Sequence, residues 1–233
     1  MENTVKIHAF LAHAGIAARR RCEDFVREGK VKINGVVVTN VATRIDPTKD
    51  EVEFAGHIVG GQPSQVVTLA LYKPVGVVST VSDPDNKPTV MEYIPEQYKE
   101  LRLYPVGRLD EASEGLILLT NDGDLAYHHT HPAEEVEKKY LVTIGGHLTV
   151  AELRGLRVGV RLKDGLTRPT TSEVVETAET YQVIQMTLRE GRNRQIRRMM
   201  EAMNHPVLQL KRIQIGEIKL DGLKPGQVRV ITD

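Results

Sequence analysis

The stretch Gly107-Arg108-Leu109-Asp110-Glu111-Ala112-Ser113-Glu114-Gly115 concentrates side chains able to do chemistry. Asp110 directly follows an Arg-Leu pair, in a segment too polar for a strand interior. Apolar flanks lie on both sides, Leu103-Tyr104-Pro105-Val106 before and Leu116-Ile117-Leu118-Leu119 after. That pattern predicts a loop joining two buried strands, where scaffold rigidity and solvent access meet. A carboxylate so placed is a candidate nucleophile or proton acceptor, although a loop Asp more often completes a turn. Asp110, Glu111 and Glu114 also form the kind of acidic group that a two-metal nuclease needs. They share one short loop, however, and have no further acidic partners in matching motifs.

Positive charge gathers in two places. Arg19 to Lys32 carries six basic and three acidic side chains, and Arg189 to Arg198 holds five arginines against one glutamate, on a chain whose formal net charge is zero. Focused clusters on a neutral protein predict local phosphate contacts rather than general adhesion to nucleic acid. Either cluster by itself is equally well a solvated helix face. His128, His129 and His131 are close in sequence, but with no Cys or matching His nearby they read as residues of a helix end, not a metal site. Cys22 falls on the apolar side of a predicted helix and reads as packing.

The elements that position these groups fall into two pieces. In residues 1–59, Ile7, Phe10, Leu11 and Ala14 follow helical spacing up to Gly15, and a second helix runs from about Ala18 to Glu28, closed by Gly29. Val31-Lys32-Ile33, the turn pair Asn34-Gly35 and Val36-Val37-Val38 spell a hairpin, with a third strand near Glu51 to Phe54. Gly60 to Gln65 reads as a linker by composition. In residues 66–233 the pattern predicts strands at Val66 to Tyr72, Val75 to Thr80, Lys139 to Ile144, Ser172 to Thr177, Tyr181 to Leu188 and Val207 to Ile215. Helices are predicted at Asp122 to Thr130, Val150 to Leu156 and Asn193 to Met203. Strands with interspersed helices and no regular alternation favour an α+β domain on a mostly antiparallel, mixed sheet.

Composition sets the outer limits. A chain of 233 residues with 40% apolar and 27% charged residues is long enough for one large or two modest globular domains. The longest apolar runs are strand-sized, no secretory or lipidation signal is apparent, and a single cysteine excludes an intrachain disulfide. These features predict a cytoplasmic protein.

Residues 1–59 resemble the S4-type RNA-binding domain. The resemblance is carried by Leu11, Ala14-Gly15-Ile16-Ala17, Arg19-Arg20, Glu28-Gly29-Lys30-Val31 and Ile33-Asn34-Gly35. It departs at Ala18, where such domains often carry a capping Ser. The resemblance places phosphate contacts at Arg19, Arg20, Lys30 and Lys32, which position RNA without reading its sequence.

Further along, Lys73-Pro74-Val75-Gly76, Gly107-Arg108-Leu109-Asp110, Asn121-Asp122-Gly123-Asp124-Leu125, Glu137-Lys138-Lys139-Tyr140-Leu141-Val142 and Glu190 to Met199 follow one another in order. Together they resemble bacterial ribosomal-RNA pseudouridine synthases, in the branch that holds type A (small ribosomal subunit) and types B, E and F (large ribosomal subunit). The implied reaction turns uridine into pseudouridine. The bond from C1′ to N1 breaks, the uracil turns, and a bond from C1′ to C5 forms, with no need for a redox cofactor or metal. Within this resemblance Asp110 is the catalytic carboxylate, as nucleophile or as base, and the target base is flipped out of its stack. Tyr140 is the ring beneath the uracil, an informative match where aromatics are only 4% of residues.

Arg197 is implied as the guanidinium that keeps Asp110 charged. Arg198 is the adjacent alternative, but neighbouring helix residues point about 100° apart, so both cannot face Asp110 equally. Arg192, Arg194 and Arg198 fit a solvated face that meets phosphates or water, Arg108 is placed towards the gap left by the flipped base or the adjacent phosphate, and Lys73 in the cleft lining. Ser113 to Ile117 and Asn193 to Arg197 look more like types B and F than type A. The expected partner is therefore 23S ribosomal RNA, free or in a partly assembled ribosomal particle, met by a monomer, with 16S RNA as the alternative. The competing reading is a non-catalytic RNA-binding or ribosome-assembly protein, which would have no reason to set an anion where phosphates approach.

Overall fold

A computed structural model describes residues 4–60 and 65–231. The chain divides into two units, Met1–Val66 with Asn121–Gly123, and Val67–Thr120 with Asp124–Asp233. Residues 61–64 of the expected linker lie outside the described residues. No helix among the described residues is long and apolar enough to cross a membrane.

The first unit runs β1 (Val5–Lys6), α1 (Ile7–His13), α2 (Arg19–Arg27), β2 (Val31–Ile33), β3 (Val36–Val38), β4 (Arg44–Ile45), β5 (Val52–Phe54) and β6 (His57–Ile58). Its core joins Ile7, Phe10 and Leu11 of α1 to Cys22 and Val26 of α2 and to Val31, Ile45 and Val52. Each buried aliphatic side chain there contributes about 1.5–3 kcal/mol. Cys22 is fully buried, as its place on the helix predicts. Asn34 and Gly35 both adopt positive φ, at 50° and 79°, which the tight turn of the β2–β3 hairpin requires. Ala18 stands at the N-cap of α2 without a side-chain hydrogen bond. The two-residue pairing of β1 with β4 is too short to leave a periodic signal.

The second unit continues with β7 (Thr68–Lys73), β8 (Tyr104–Val106), β9 (Glu114–Thr120), α3 (Gly123–Thr130), β10 (Lys138–Gly145) and α4 (Val150–Val158). After the small hairpin of β11 (Arg161–Leu162) and β12 (Gly165–Leu166) come β13 (Thr171–Thr177), β14 (Tyr181–Leu188), α5 (Gln195–Glu201), β15 (Val207–Ile215), β16 (Ile218–Lys219) and β17 (Val228–Ile231). The main sheet has the order β13-β14-β10-β15-β9-β7-β17, with β16 on β15 and β8 on β9. Its pairings are antiparallel except for the parallel contact of β9 with β15. This is the α+β class with a mostly antiparallel, mixed sheet.

Strands β7 and β9 are buried along their whole length. Alternate residues feed cores on opposite faces: Leu69, Leu71, Ile117 and Leu119 on one, Ala70, Tyr72, Leu116 and Leu118 on the other. Burial on both faces explains why these strands read as continuous apolar runs. Helix α5 packs Ile196, Met199 and Met200 with Val142, Ile144, Ile184 and Met186 of β10 and β14.

Two expectations are corrected. Val75 to Thr80 forms no strand, because its backbone groups bond to neighbouring loops: Gly76 N–H to Glu111 O at 2.9 Å and Val78 N–H to Pro88 O at 2.9 Å. The expected helix from Asn193 to Met203 is only Gln195–Glu201, since Arg194 takes a left-handed conformation with φ 46°.

One row of paired residues crosses the centre of the sheet. Lys73 pairs with Gly115, Gly115 with Arg212, Arg212 with Tyr140, and Tyr140 with Met186. Gly115 makes the row possible. A Cβ on it would lie 2.2 Å from Arg212 O and 2.7 Å from Arg212 N, and its φ is +107°. Gly115→Ala is therefore expected to destabilise the protein by about 2–4 kcal/mol through clash and backbone strain, read as a lower denaturant midpoint. A midpoint within error of the parent would show that β9 and β15 separate freely.

Candidate active site

The Asp110 loop spans the gap between β8 and β9 and is fastened on several sides while its carboxylate is left free. Leu109 is buried, its N–H donates to Ser79 Oγ at 3.1 Å, and the Ser79 hydroxyl donates to Leu109 O at 2.9 Å. Gly76 N–H holds Glu111 O, and Ser113 N–H closes a turn on Asp110 O at 3.0 Å. Arg197 Nη2 donates to Ala112 O at 2.8 Å and to Ser113 Oγ at 3.3 Å. Glu111, the neighbouring acid, is held by Lys87 at 2.7 Å. Among the described residues the Asp110 carboxylate itself makes no hydrogen bond and no ion pair. A half-buried acid on a loop held this firmly is placed to react and is not needed to complete the fold.

Asp110 opens into a cleft of about 560 Å³ whose lining includes Arg108, Lys138, Tyr140, Arg194 and Arg212. Tyr140 reaches it by strand parity. Val142 and Ile144 on the same face of β10 are fully buried, and Tyr140, two residues nearer the strand start, packs against both large cores while one side meets the cleft. The sheet register then sets Arg212 beside Tyr140. Arg212 is 3% exposed, with Nε on Leu116 O at 2.7 Å and Nη1 on Arg108 O at 3.4 Å.

The other basic residues separate into distinct groups. Arg108 and Arg194 are exposed at the cleft. Arg197, expected as the ion-pair partner of Asp110, forms no such pair, because its guanidinium holds the backbone of the same loop instead. It also donates to Val207 O at 3.3 Å, and its Nε is buried without a partner. Burial and the nearby Arg194 push its pKa down, and the field of Asp110 opposes them. Arg198 faces elsewhere, binding Asp164 through two hydrogen bonds of 2.9 and 3.1 Å.

Two residues assigned to RNA are committed within the fold. Arg192 is engaged by Glu190 at 3.1 Å and by Leu166 O at 2.6 Å. Lys73 has no exposed surface, and its Nζ donates to Pro74 O at 2.8 Å. In the first unit, Lys30 and Lys32 pair with Glu28 at 2.7 Å and Glu53 at 2.8 Å, and Arg19 donates to His8 at 3.3 Å. Arg20 is exposed with no ion pair among the described residues.

Sequence reasoning passed over Arg212, Ser79 and Gly115. None left a clear signal, since a charge within the strand Val207–Ile215 ordinarily marks its solvent face.

Comparisons with known proteins identify the family. A family model described as RNA pseudouridylate synthase matches residues 67–202, and an S4 domain model matches residues 5–52. A Bacillus subtilis (strain 168) protein named ribosomal large subunit pseudouridine synthase B is 39% identical over 232 residues, covering 97% of this chain and 92% of the relative. A Vibrio vulnificus (strain CMCP6) protein of the same name is 37% identical over 228 residues, covering 94% of this chain and 69% of its own length. A solved structure described as a pseudouridylate synthase matches with a TM-score of 0.70 at 29% identity, covering 98% of this chain and 96% of that one. The chain belongs to the RNA pseudouridylate synthase family and carries an S4 domain. Its reaction is the isomerisation of uridine to pseudouridine in RNA.

Burial brings the Lys73 ammonium down to about 8 from an ordinary 10.5, while Asp110 and Glu111 pull the other way. Between those two values the unfolded chain binds a proton that the folded chain does not, so the Lys73 contribution to stability rises with pH through that window. Compared with the parent, Lys73→Met is expected to be most stable below about pH 8 and to lose that relative advantage towards pH 10.5. Parallel stability curves for the two proteins across the window would exclude Lys73 as the titrating group.

Proposed function

We propose that this chain isomerises one uridine of 23S ribosomal RNA, with Asp110 as the catalytic carboxylate and Tyr140 as the ring beneath the flipped base. The observation that carries the reading is the free Asp110 carboxylate in the same cleft as Tyr140. Base flipping brings the nucleotide into that cleft. Asp110 then acts on the sugar, as nucleophile at C1′ or as base towards a ribose proton, and both routes begin with an unpaired carboxylate.

Arg197 serves this chemistry through the loop, by holding Ala112 and Ser113 and adding positive charge near Asp110. Arg108 and Arg194, exposed at the cleft, meet phosphates. The division of labour follows the domain scheme of residues 1–59 as RNA anchor and 66–233 as catalytic domain, in a cytoplasmic monomer. The choice of 23S RNA leans on the name of the Bacillus subtilis relative and on its near-complete coverage.

Asp110→Asn is expected to abolish pseudouridine formation and leave RNA affinity equal or slightly higher, since it removes an anion near phosphates. Mapping carbodiimide-reactive positions in ribosomal RNA from cells with and without the protein gives the readout, expected as one lost signal in 23S RNA. Product from Asp110→Asn at the parental rate removes Asp110 from the mechanism, and a signal lost from 16S RNA overturns the choice of 23S RNA.

Glutamate at both Arg19 and Arg20 should weaken RNA binding and flatten its salt dependence. Each lost phosphate contact lowers the log–log slope by about 0.7–0.9. A slope that stays unchanged in a filter-binding titration rejects the first unit as the anchor.

A further inference from the structure

Lys138 and Arg212 line the Asp110 cleft, and neither forms an ion pair among the described residues. Lys138 Nζ is held only by Val136 O at 3.1 Å, and burial together with the adjacent Arg212 charge lowers its pKa. Arg212 Nη2 is shielded from solvent and has no hydrogen-bond partner. Several other cations of this unit do have acid partners, as in Arg189 with Glu137, Arg198 with Asp164 and Lys87 with Glu111. The second carboxylate of the cleft, Glu190, is already taken by Arg192 and Gln195. Two like charges withdrawn from water without a counter-ion repel each other and are costly to desolvate. Such a wall is complementary to an anion that enters the cleft.

Depth decides which anion. Backbone phosphates meet the exposed Arg108 and Arg194, whereas a group reaching Arg212 must insert beside Tyr140. The reaction creates one there. When the C1′–N1 bond breaks, its electron pair leaves with the uracil, and the negative charge spreads over N1, O2 and O4. The charge is discharged when C5 bonds to C1′, C5 gives up its proton and N1 takes one up, so one proton moves from C5 to N1 and nothing is oxidised. We propose that Lys138 and Arg212 form an anion pocket that holds the detached uracil by its carbonyl oxygens while it turns. Charge-assisted hydrogen bonds in a desolvated site favour the base most when its charge is fully developed. This assignment rests on Asp110 and Tyr140 marking the place of isomerisation.

The test uses the full chain and an RNA oligonucleotide carrying the uridine found by the mapping experiment, under single-turnover conditions. Lys138→Met is expected to slow the reaction by about tenfold or more, the scale of losing one donor to a developing anion, with RNA affinity changed by less than about twofold. Arg212→Gln should behave alike. If near-ultraviolet circular dichroism shows that it has not folded, the partly exposed Lys138 decides alone.

Replacing O2 or O4 of the target base by sulfur, a weaker acceptor, should slow the parent and narrow its lead over Lys138→Met. A methylphosphonate 5′ to the target should leave that lead unchanged. Parental rates from folded variants overturn the proposal, as does a lead that disappears on the methylphosphonate, which would assign the two cations to a phosphate. Asp110→Asn, measured alongside, separates the two assignments. If it stays active the whole reading of the cleft fails, whereas an inactive Asp110→Asn with a fully active Lys138→Met removes only the anion pocket.

Discussion

The close parallel contact of β9 with β15 at Gly115 and Arg212 is the constraint on which the site depends. Strands in a sheet lie about 4.8 Å apart, and register fixes which residues become neighbours. Here the register puts Lys73, Gly115, Arg212 and Tyr140 in one row across four strands. Arg212 and Tyr140, distant in sequence, thus line a single cleft without any long loop having to find its place. Gly115 also lies near the start of the buried run that follows the Asp110 loop, so the contact that aligns Arg212 with Tyr140 also fixes one end of that loop. A side chain at position 115 would push β9 away from β15 and displace acid, ring and buried guanidinium together.

The electrostatics of the cleft draw on two members of that row and on two cations outside it. Lys73, Lys138, Arg197 and Arg212 bring positive charge close to one unpaired carboxylate, and burial lowers the pKa of Lys73, Lys138 and Arg197. Removing cations from water is unfavourable unless something returns the lost solvation. Backbone carbonyls do part of this: Pro74 O for Lys73, Val136 O for Lys138, Leu116 O and Arg108 O for Arg212. These bonds also join the cations to the loops that flank the site, so charge and loop position are set by the same contacts.

Legibility in the sequence tracks how local the cause is. The β2–β3 hairpin is readable because Asn34 and Gly35 alone dictate the turn. The loop at Asp110 is readable because apolar strands flank it, the second of them buried on both faces. Val75 to Thr80 misleads because its β-branched residues fit a strand, whereas its actual hydrogen-bond partners, Glu111 and Pro88, lie further along the chain. The presence of Arg197 beside the Asp110 loop is readable by resemblance, but its attachment to Ala112 and Ser113 depends on how α5 packs. Arg212 escapes notice because a charge within a strand ordinarily marks the solvent face. Only the pairing of β15 with β10 and β9 reveals that this position faces inward.

The basic residues form two tiers that respond differently to their surroundings. Arg108 and Arg194 are exposed, so their attraction for phosphate acts across water and is screened within about 8–10 Å at ordinary salt. Arg212 is buried and Lys138 half-buried, so both are less screened by ions and their charge acts more strongly. In the proposed function the exposed arginines govern how firmly RNA is held, in a manner sensitive to ionic strength, and Lys138 with Arg212 acts on what has entered the cleft. The proposed separation of capture from chemistry reconciles a neutral net charge with concentrated positive charge where the detached uracil would become an anion.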